Sequence, residues 1–401
     1  MRMWSLNSYA QDAWRVSNRL TLTYGLRWEI NAPPYDVHDH WSNFDFKTGQ
    51  LALAGKNGYN RALRDIDYHA FAPRAGLAYM LTSDQKTVLR SGFGISYVEP
   101  YKGGGQLYKN LPFFFSQTIT SDQNGAPPLS LSQGIPAPVA PDINNIAQLS
   151  SGNPTAWDFG MVPTRTLQWS LGVERQLLSN LMLDVTYVGT RALDLTSAYD
   201  YNQPVPGPGA QNPRRPLYAL NPLVGDITYN SGWGSARYHG LQIKMEKRYS
   251  AGLTVSVAYT WSSYLSDAPN LNGGGVGAPQ DARCFNCNWG PVPDDVKHVL
   301  VVNHAFELPF GPGRKYLSHG LLAHIAGNWD LNGIWSANTG QRFTPVLSTG
   351  VSNSSGGGSE RPNRIGNGNL GGGQRTIDHW FDTAAFSIPA QRSAEASIVA
   401  G

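Results

Sequence analysis

Long apolar runs are missing from this chain. Hydrophobic residues make up 41% of its 401 residues, yet the purest stretches are as short as Val299 to Val302, far below the roughly 20 residues that a membrane-spanning helix requires. A helical membrane protein is excluded. Charge is equally sparse, at 15% of residues with a net charge of +3. There is no polybasic footprint and no acidic tail, so nucleic acid is not an expected partner. Cysteine is nearly absent: Cys284 and Cys287, in RCFNCN, are the two. No second CxxC exists to complete a zinc site, so the expectation is a local disulfide that staples an exterior loop. The N-terminus, MRMWSLNSYAQDAW, lacks the basic, apolar and small-residue succession of a secretory signal. The expectation is either a cytoplasmic protein or a sequence whose beginning is missing.

What is abundant is aromatic and turn-forming. Twelve Trp, 19 Tyr and 14 Phe, with 44 Gly and 27 Pro, describe aromatic strands separated by irregular loops. In RLTLTYGLRWEI, residues 19–30, Leu20, Leu22, Tyr24, Leu26 and Trp28 occupy one phase of a two-residue alternation, and Arg19, Thr21, Thr23, Arg27 and Glu29 the other. That is a β-strand pattern. It recurs on both sides of TSDQ, LSN and YSAG as three hairpins. A strand near 299–308 then leads through PFGPGRKY to one near 323–335. With SYAQDAWRV before the opening strand, the total is about ten strands. Several run for about ten residues, against roughly five or six in ordinary globular sheets and 9 to 11 in membrane barrels. Tight turns alternate with long loops near 31–67, 98–164, 192–236, 263–297 and 337–380. In a meander this places every short turn at one rim and every long loop at the other, as in outer-membrane barrels. The expected fold is all-β: an antiparallel up-and-down transmembrane barrel segment forming a single partial domain over 1–401.

The two phases can then be assigned to two solvents. The polar phase carries Arg19, Arg27, Glu29, Arg90, Glu174, Asp184, Lys244 and Glu246, costly in a dry core but ordinary lining for a wet lumen. The apolar phase carries Tyr24, Trp28, Tyr97, Trp169, Tyr187, Tyr259, Trp261 and Trp335 toward strand ends, where aromatic rings suit a membrane interface. Periodicity by itself also fits a soluble sandwich or propeller, in which the apolar phase packs a core.

SYAQDAWRVSNRLTLTYGLRWE, YHAFAPRAGLAY, TVLRSGFGISYVEPY, SLGVERQLLSNLMLDVTYVGTRALDL, LQIKMEKRYSAGLTVSVAYTWSSYL, ELPFGPGRKY, GQRFTPVL and RTIDHWFDTAAFSIPA, in this order and spacing, resemble the barrel of TonB-dependent transporters of the Oar-like group. The resemblance covers nearly the whole chain. It implies a barrel of 22 strands, a signal peptide, a plug that contacts the TonB complex, and a final strand ending in an aromatic residue. None of those ends is visible here, so the sequence reads as an internal piece of the barrel, not competent for transport alone. The implied setting is the cell outer membrane, with outer-membrane lipid and an unknown bulky solute as partners, the TonB complex acting only through the missing plug.

Chemistry is thin. Asp36, His38, Asp39 and His40 in YDVHDHW are metal ligands by type, but their spacing matches no metal motif and a polar loop is the simpler reading. The glycine run at 103–105 lacks the Lys and Ser or Thr of a phosphate loop and reads as flexible. Phe113 to Phe115 can pack a loop or cover a barrel mouth. VSNSSGGGSERPN and GNGNLGGGQR read as mobile loop tips. No nucleophile, base and acid arrangement can be placed, so neither enzyme activity nor a cofactor is expected. Other readings are a passive barrel or adhesin, and a soluble aromatic-rich protein that binds carbohydrate.

Overall fold

The structure is a computed structural model that describes residues 1–99, 104–115, 132, 134, 137, 141–142, 144–250, 252–268, 278–348 and 350–389. In chain order its strands are β1 (Ser5–Arg15), β2 (Leu20–Asn31), β3 (Ser42–Asp45), β4 (Gln50–Leu53), β5 (Ala70–Met80), β6 (Thr87–Val98), β7 (Thr155–Trp157), β8 (Thr164–Leu178), β9 (Leu181–Asp200), β10 (Thr228–Ser250), β11 (Leu253–Ser266), β12 (Gly290–Pro291), β13 (His298–Glu307), β14 (Asp330–Asn338), β15 (Asn363–Arg364) and β16 (Phe386–Ser387). Two short helices, α1 (Ile146–Leu149) and α2 (Leu321–Ala326), interrupt the loops.

Ten of these strands make one curtain in the order β1-β2-β5-β6-β8-β9-β10-β11-β13-β14. Every neighbouring pair in it is antiparallel. The order is that of the chain, so the curtain is an up-and-down meander. It is open, with β1 and β14 as its edges.

The registers keep the two phases apart across the whole curtain. Leu22 lies opposite Leu77, Phe93 opposite Trp169, Leu171 opposite Tyr187, Val185 opposite Ile243, Ile243 opposite Tyr259, and Val302 opposite Trp335. Directly opposed residues share a face, so one face is apolar from β2 to β14. On the other, Thr21, Ala78, Arg90, Gly172, Thr186, Gln242 and Thr260 follow one another from strand to strand. A one-residue slip anywhere would mix the faces.

Neither face is covered by a second layer. Tyr24, Leu171, Trp261 and Trp335 on the apolar face are 50%, 52%, 51% and 56% exposed. A soluble sandwich would bury these side chains, so that alternative does not describe this sheet.

The fully buried core lies in the loops instead. The largest side chains with almost no exposure are Phe44, Leu63, Leu107, Leu149 and Ile227, none of them on a curtain strand. One cluster gathers Trp41, Ala52, Ala54, Leu63, Leu107, Trp157 and Met161, and a second gathers Phe44, Leu51, Leu149, Ala156, Leu217, Val224 and Ile227. The first draws on the connections after β2 and β6, and the second on those after β2, β6 and β9, so the three connections form one packed cap at the long-loop rim.

Several boundaries differ from the sequence expectation for physical reasons. β9 and β10 reach 20 and 23 residues, so the loop expected over 192–236 shrinks to residues 201–227. Their upper halves run on into the cap, well beyond the roughly 9 to 11 residues of a membrane-barrel strand, and β7 pairs alongside β10 there. Register shifts at Ser231/Gly234 and Gly234/Ala236 bend that upper part. The strand expected from 323 begins at Asp330, because α2 takes Leu321–Ala326. Ile325 is thus helical. Among the described residues no helix is long and apolar enough to cross a membrane.

Candidate functional site

Four buried or nearly buried asparagines hold the cap together by hydrogen-bonding to the backbone of distant segments. Asn43 donates from Nδ2 to the Trp157 carbonyl at 2.8 Å and accepts from the Trp157 N–H at 2.9 Å. Asn110 donates to Ser42 and Thr155 carbonyls at 2.8 and 2.7 Å. Asn202 donates to the Gly225 carbonyl at 2.8 Å and accepts from the Leu217 N–H at 2.9 Å. Asn221 donates to Gly49 and Ser150 carbonyls at 2.8 and 3.0 Å. An amide carries two donors and an acceptor, so each can replace the partners that irregular backbone lacks.

On this frame sits a continuous aromatic surface. Phe46 packs against Tyr201 with ring centroids 3.9 Å apart and against Tyr229 at 4.8 Å. Tyr199 meets Tyr229 at 5.5 Å and Phe285 at 4.9 Å, and Phe285 stacks on Trp233 at 4.5 Å. Tyr201 remains 36% exposed, so the surface is open to solutes. Burial, reinforced by neighbouring Tyr201, pushes the Tyr199 phenol up to about 12. Burial also raises that of Tyr229, beside Asp158. The phenols therefore stay neutral and present flat apolar faces with hydroxyl donors.

Beside it is a buried ionic knot. Arg215 reaches Asp226 at 2.6 Å and Asp200 at 3.7 Å, and donates to the Asn202 carbonyl at 2.9 Å and Ser355 Oγ at 3.0 Å. Asp200 Oδ1 accepts from the Ile227 and Asn202 N–H groups at 2.7 and 2.9 Å, while its Oδ2 has no hydrogen-bond partner among the described residues. Burial pushes its carboxyl up to about 6. Gly356 lies against this carboxylate so closely that a β-carbon there would collide with it.

The segment expected to be a mobile tip, VSNSSGGGSERPN, is bound into this knot. Asn353 donates to the Gly207 carbonyl at 3.0 Å, Ser354 to the Pro204 carbonyl at 2.6 Å, and Ser355 to Asp226 at 2.9 Å. Its small residues are there because the approach is close, not because the chain is loose. Cys284 and Cys287 form a disulfide. It flanks Phe285, and Arg361 holds the turn by donating to the Cys287 carbonyl at 3.2 Å and Asn288 Oδ1 at 3.1 Å.

The remaining expected residues fall into place by face. Arg27 pairs with Glu29 at 2.9 Å and Arg90 with Glu174 at 3.5 Å; Lys244 pairs with Glu246, and Asp184 accepts from Thr186 at 2.6 Å. Glu174, Asp184 and Lys244 are consecutive cross-strand neighbours. On the apolar face Trp28 stacks on Phe71 at 5.9 Å. Tyr24 donates to Asp12 at 2.8 Å. Trp169 covers Gly189, leaving no room for a β-carbon. Tyr187 bonds His239 at 2.6 Å and Tyr259 bonds His298 at 2.8 Å. Asp36 is spent on the N–H groups of His38 and His40, and Asp39 on Arg61 at 2.6 Å. Among the described residues no group of three or more His, Cys, Asp or Glu is placed to hold a metal. His40 packs on Phe113 at 5.3 Å, Phe114 is exposed, and Gly103 lies outside the described residues.

The sequence reading missed the asparagines, the knot and the aromatic surface. Signals were present: ring-dense AYDYNQP and ITYNSGW carry Tyr199, Tyr201, Tyr229 and Trp233, and Asn202 and Asn221 stand close before prolines.

No curated protein matches the chain. It is similar in structure to the alcaligin outer membrane receptor FauA of Bordetella pertussis, with 12% identity over 76% of this chain and 34% of that one and a TM-score of 0.35. It is likewise similar to the FrpB iron transporter of Neisseria meningitidis, at 10% identity, 76% and 31% coverage and a TM-score of 0.39. A third is the ferric-catecholate import receptor Fiu of E. coli K12, at 13% identity, 76% and 32% coverage and a TM-score of 0.36. The chain thus spans about a third of the length of these solved structures. The model of a family described as outer membrane beta barrel domain matches residues 1–397. With that match over nearly its whole length, the chain belongs to the outer membrane beta barrel domain family and is a protein of the cell outer membrane.

Proposed function

We propose that this chain is a length of wall, with its extracellular cap, from an outer-membrane receptor of the TonB-dependent kind that takes up a bulky solute. The observation that carries the reading is the packed cap with its open aromatic surface, standing on strands whose polar and apolar faces stay separate across the curtain. A passive pore needs no such cap. The aromatic surface of Phe46, Tyr199, Tyr201, Tyr229 and Phe285 is the capture site, and the charged face with Arg27, Glu29, Arg90, Glu174, Asp184, Lys244 and Glu246 lines the wet interior. The apolar face with Tyr24, Trp28, Trp169, Tyr187, Tyr259, Trp261 and Trp335 meets lipid. An open sheet cannot stay in a bilayer with two unpaired edges, so β1 and β14 pair with further strands of a larger barrel.

Untargeted mass spectrometry of spent medium tests this, comparing cells with and without the gene in strains with and without an intact TonB complex. The reading predicts a solute depleted only when both are present. Depletion that ignores the TonB complex, or no gene-dependent depletion at all, contradicts it.

A further inference from the structure

On the loop side the apolar face carries arginines on three adjacent strands. Arg165 on β8, Arg191 on β9 and Arg237 on β10 lie in the same phase as Leu167, Trp169, Tyr187, Leu241 and Ile243, with no register shift between them and that band. Arg191 and Arg237 are directly opposite one another. Like charges in that position repel. Arg165 has Asp194 at 4.0 Å, but among the described residues no carboxylate pairs with Arg191 or Arg237, and both are exposed. Arg237 rests over the Trp289 ring, at 5.7 Å.

Their height is informative. Arg191 stands ten residues above Leu181, where β9 leaves its tight turn, which is about 34 Å along a strand and about 25 Å of height at barrel tilt, the thickness of an outer-membrane apolar band. The arginines therefore sit at the level of headgroups, directly above a strip of Leu167, Trp169 and Leu241 on which acyl chains can lie.

We infer that Arg191 and Arg237, with Arg165 beside them, form a binding site for the phosphate-bearing headgroup of an outer-leaflet lipid. Two guanidiniums on adjacent strands offer paired donors to one phosphate, and the bound anion removes the repulsion between them. The inference rests on the proposed lipid-facing assignment of the apolar face.

The test uses the protein extracted in mild detergent from its own outer membrane. Phosphorylated lipid bound per protein is counted by native mass spectrometry for the wild type and for R191Q/R237Q, with and without excess inorganic phosphate. In parallel, Trp169 emission, taken as the difference from W169F, is measured in vesicles of brominated lipid. The expected result is quenching of Trp169 in both backgrounds, retention of lipid by the wild type, and an affinity about thirtyfold weaker in the double variant. Equal retention by R191Q/R237Q with Trp169 quenched overturns the site alone. Displacement of the lipid by inorganic phosphate also overturns it, revealing a simple anion site. Absence of quenching overturns the lipid-facing assignment and the site with it.

Discussion

Asn43 and Trp157 exchange two hydrogen bonds across 114 residues of sequence, the side-chain amide of one matching the backbone N–H and carbonyl of the other. Asn43 is fully buried, so both bonds are shielded from water. This pair joins the connection after β2 to the connection after β6. Asn43→Ala removes both of these buried bonds and should loosen the cap by about 2–4 kcal/mol. Limited proteolysis of outer-membrane preparations should then cut within 41–65 and 144–163 while the curtain strands stay intact. Unchanged cleavage in the variant would show that the cap is held by its apolar clusters alone.

Asp200 makes the cap sensitive to acidity. Its carboxyl is raised from 3.8 to about 6 by burial, so the folded cap holds this proton more tightly than the loosened one. Stability from this group is fully present below about pH 4 and is lost as pH rises through about 6. Protection from hydrogen exchange at 200–203 and 352–356, taken relative to the intrinsic rate at each pH, should therefore rise on acidification across that window. D200N, which keeps the shape without the charge, should flatten the dependence.

The disulfide closes a very short loop, and so its contribution is modest. Cys284 and Cys287 are three residues apart, for which loop closure is worth about 2 kcal/mol. C284S/C287S should raise exchange at 281–289 and unsettle the stacking of Phe285 on Trp233, read as a change in tryptophan emission. The transmembrane parts of the strands should not respond.

How much was legible in the sequence follows from the range of each interaction. Alternation in RLTLTYGLRWEI is local, so the strand, its two faces and the tight turns can be read from neighbours alone. The length of β9 and β10 could not, because residues 192–200 pair with 228–236 of β10, which in turn pairs with β7, as part of the cap. The cap itself depends on partners such as Asn43 with Trp157 and Asn221 with Gly49, the latter 172 residues apart. Polar, glycine-rich segments look mobile when read singly. VSNSSGGGSERPN is such a case: Gly356 is required by the closeness of Asp200, and nothing within the segment announces it.

The central claim is that one face of the curtain meets lipid and the other water, and single cysteines along β9 test it most directly. The native cysteines are joined to each other and do not compete for label. In intact outer membranes a water-soluble maleimide should label cysteine at Asp184, Thr186 and Val188 and spare it at Leu183, Val185 and Tyr187, a period of two that follows the observed register. Uniform labelling, or the opposite phase, would contradict the account.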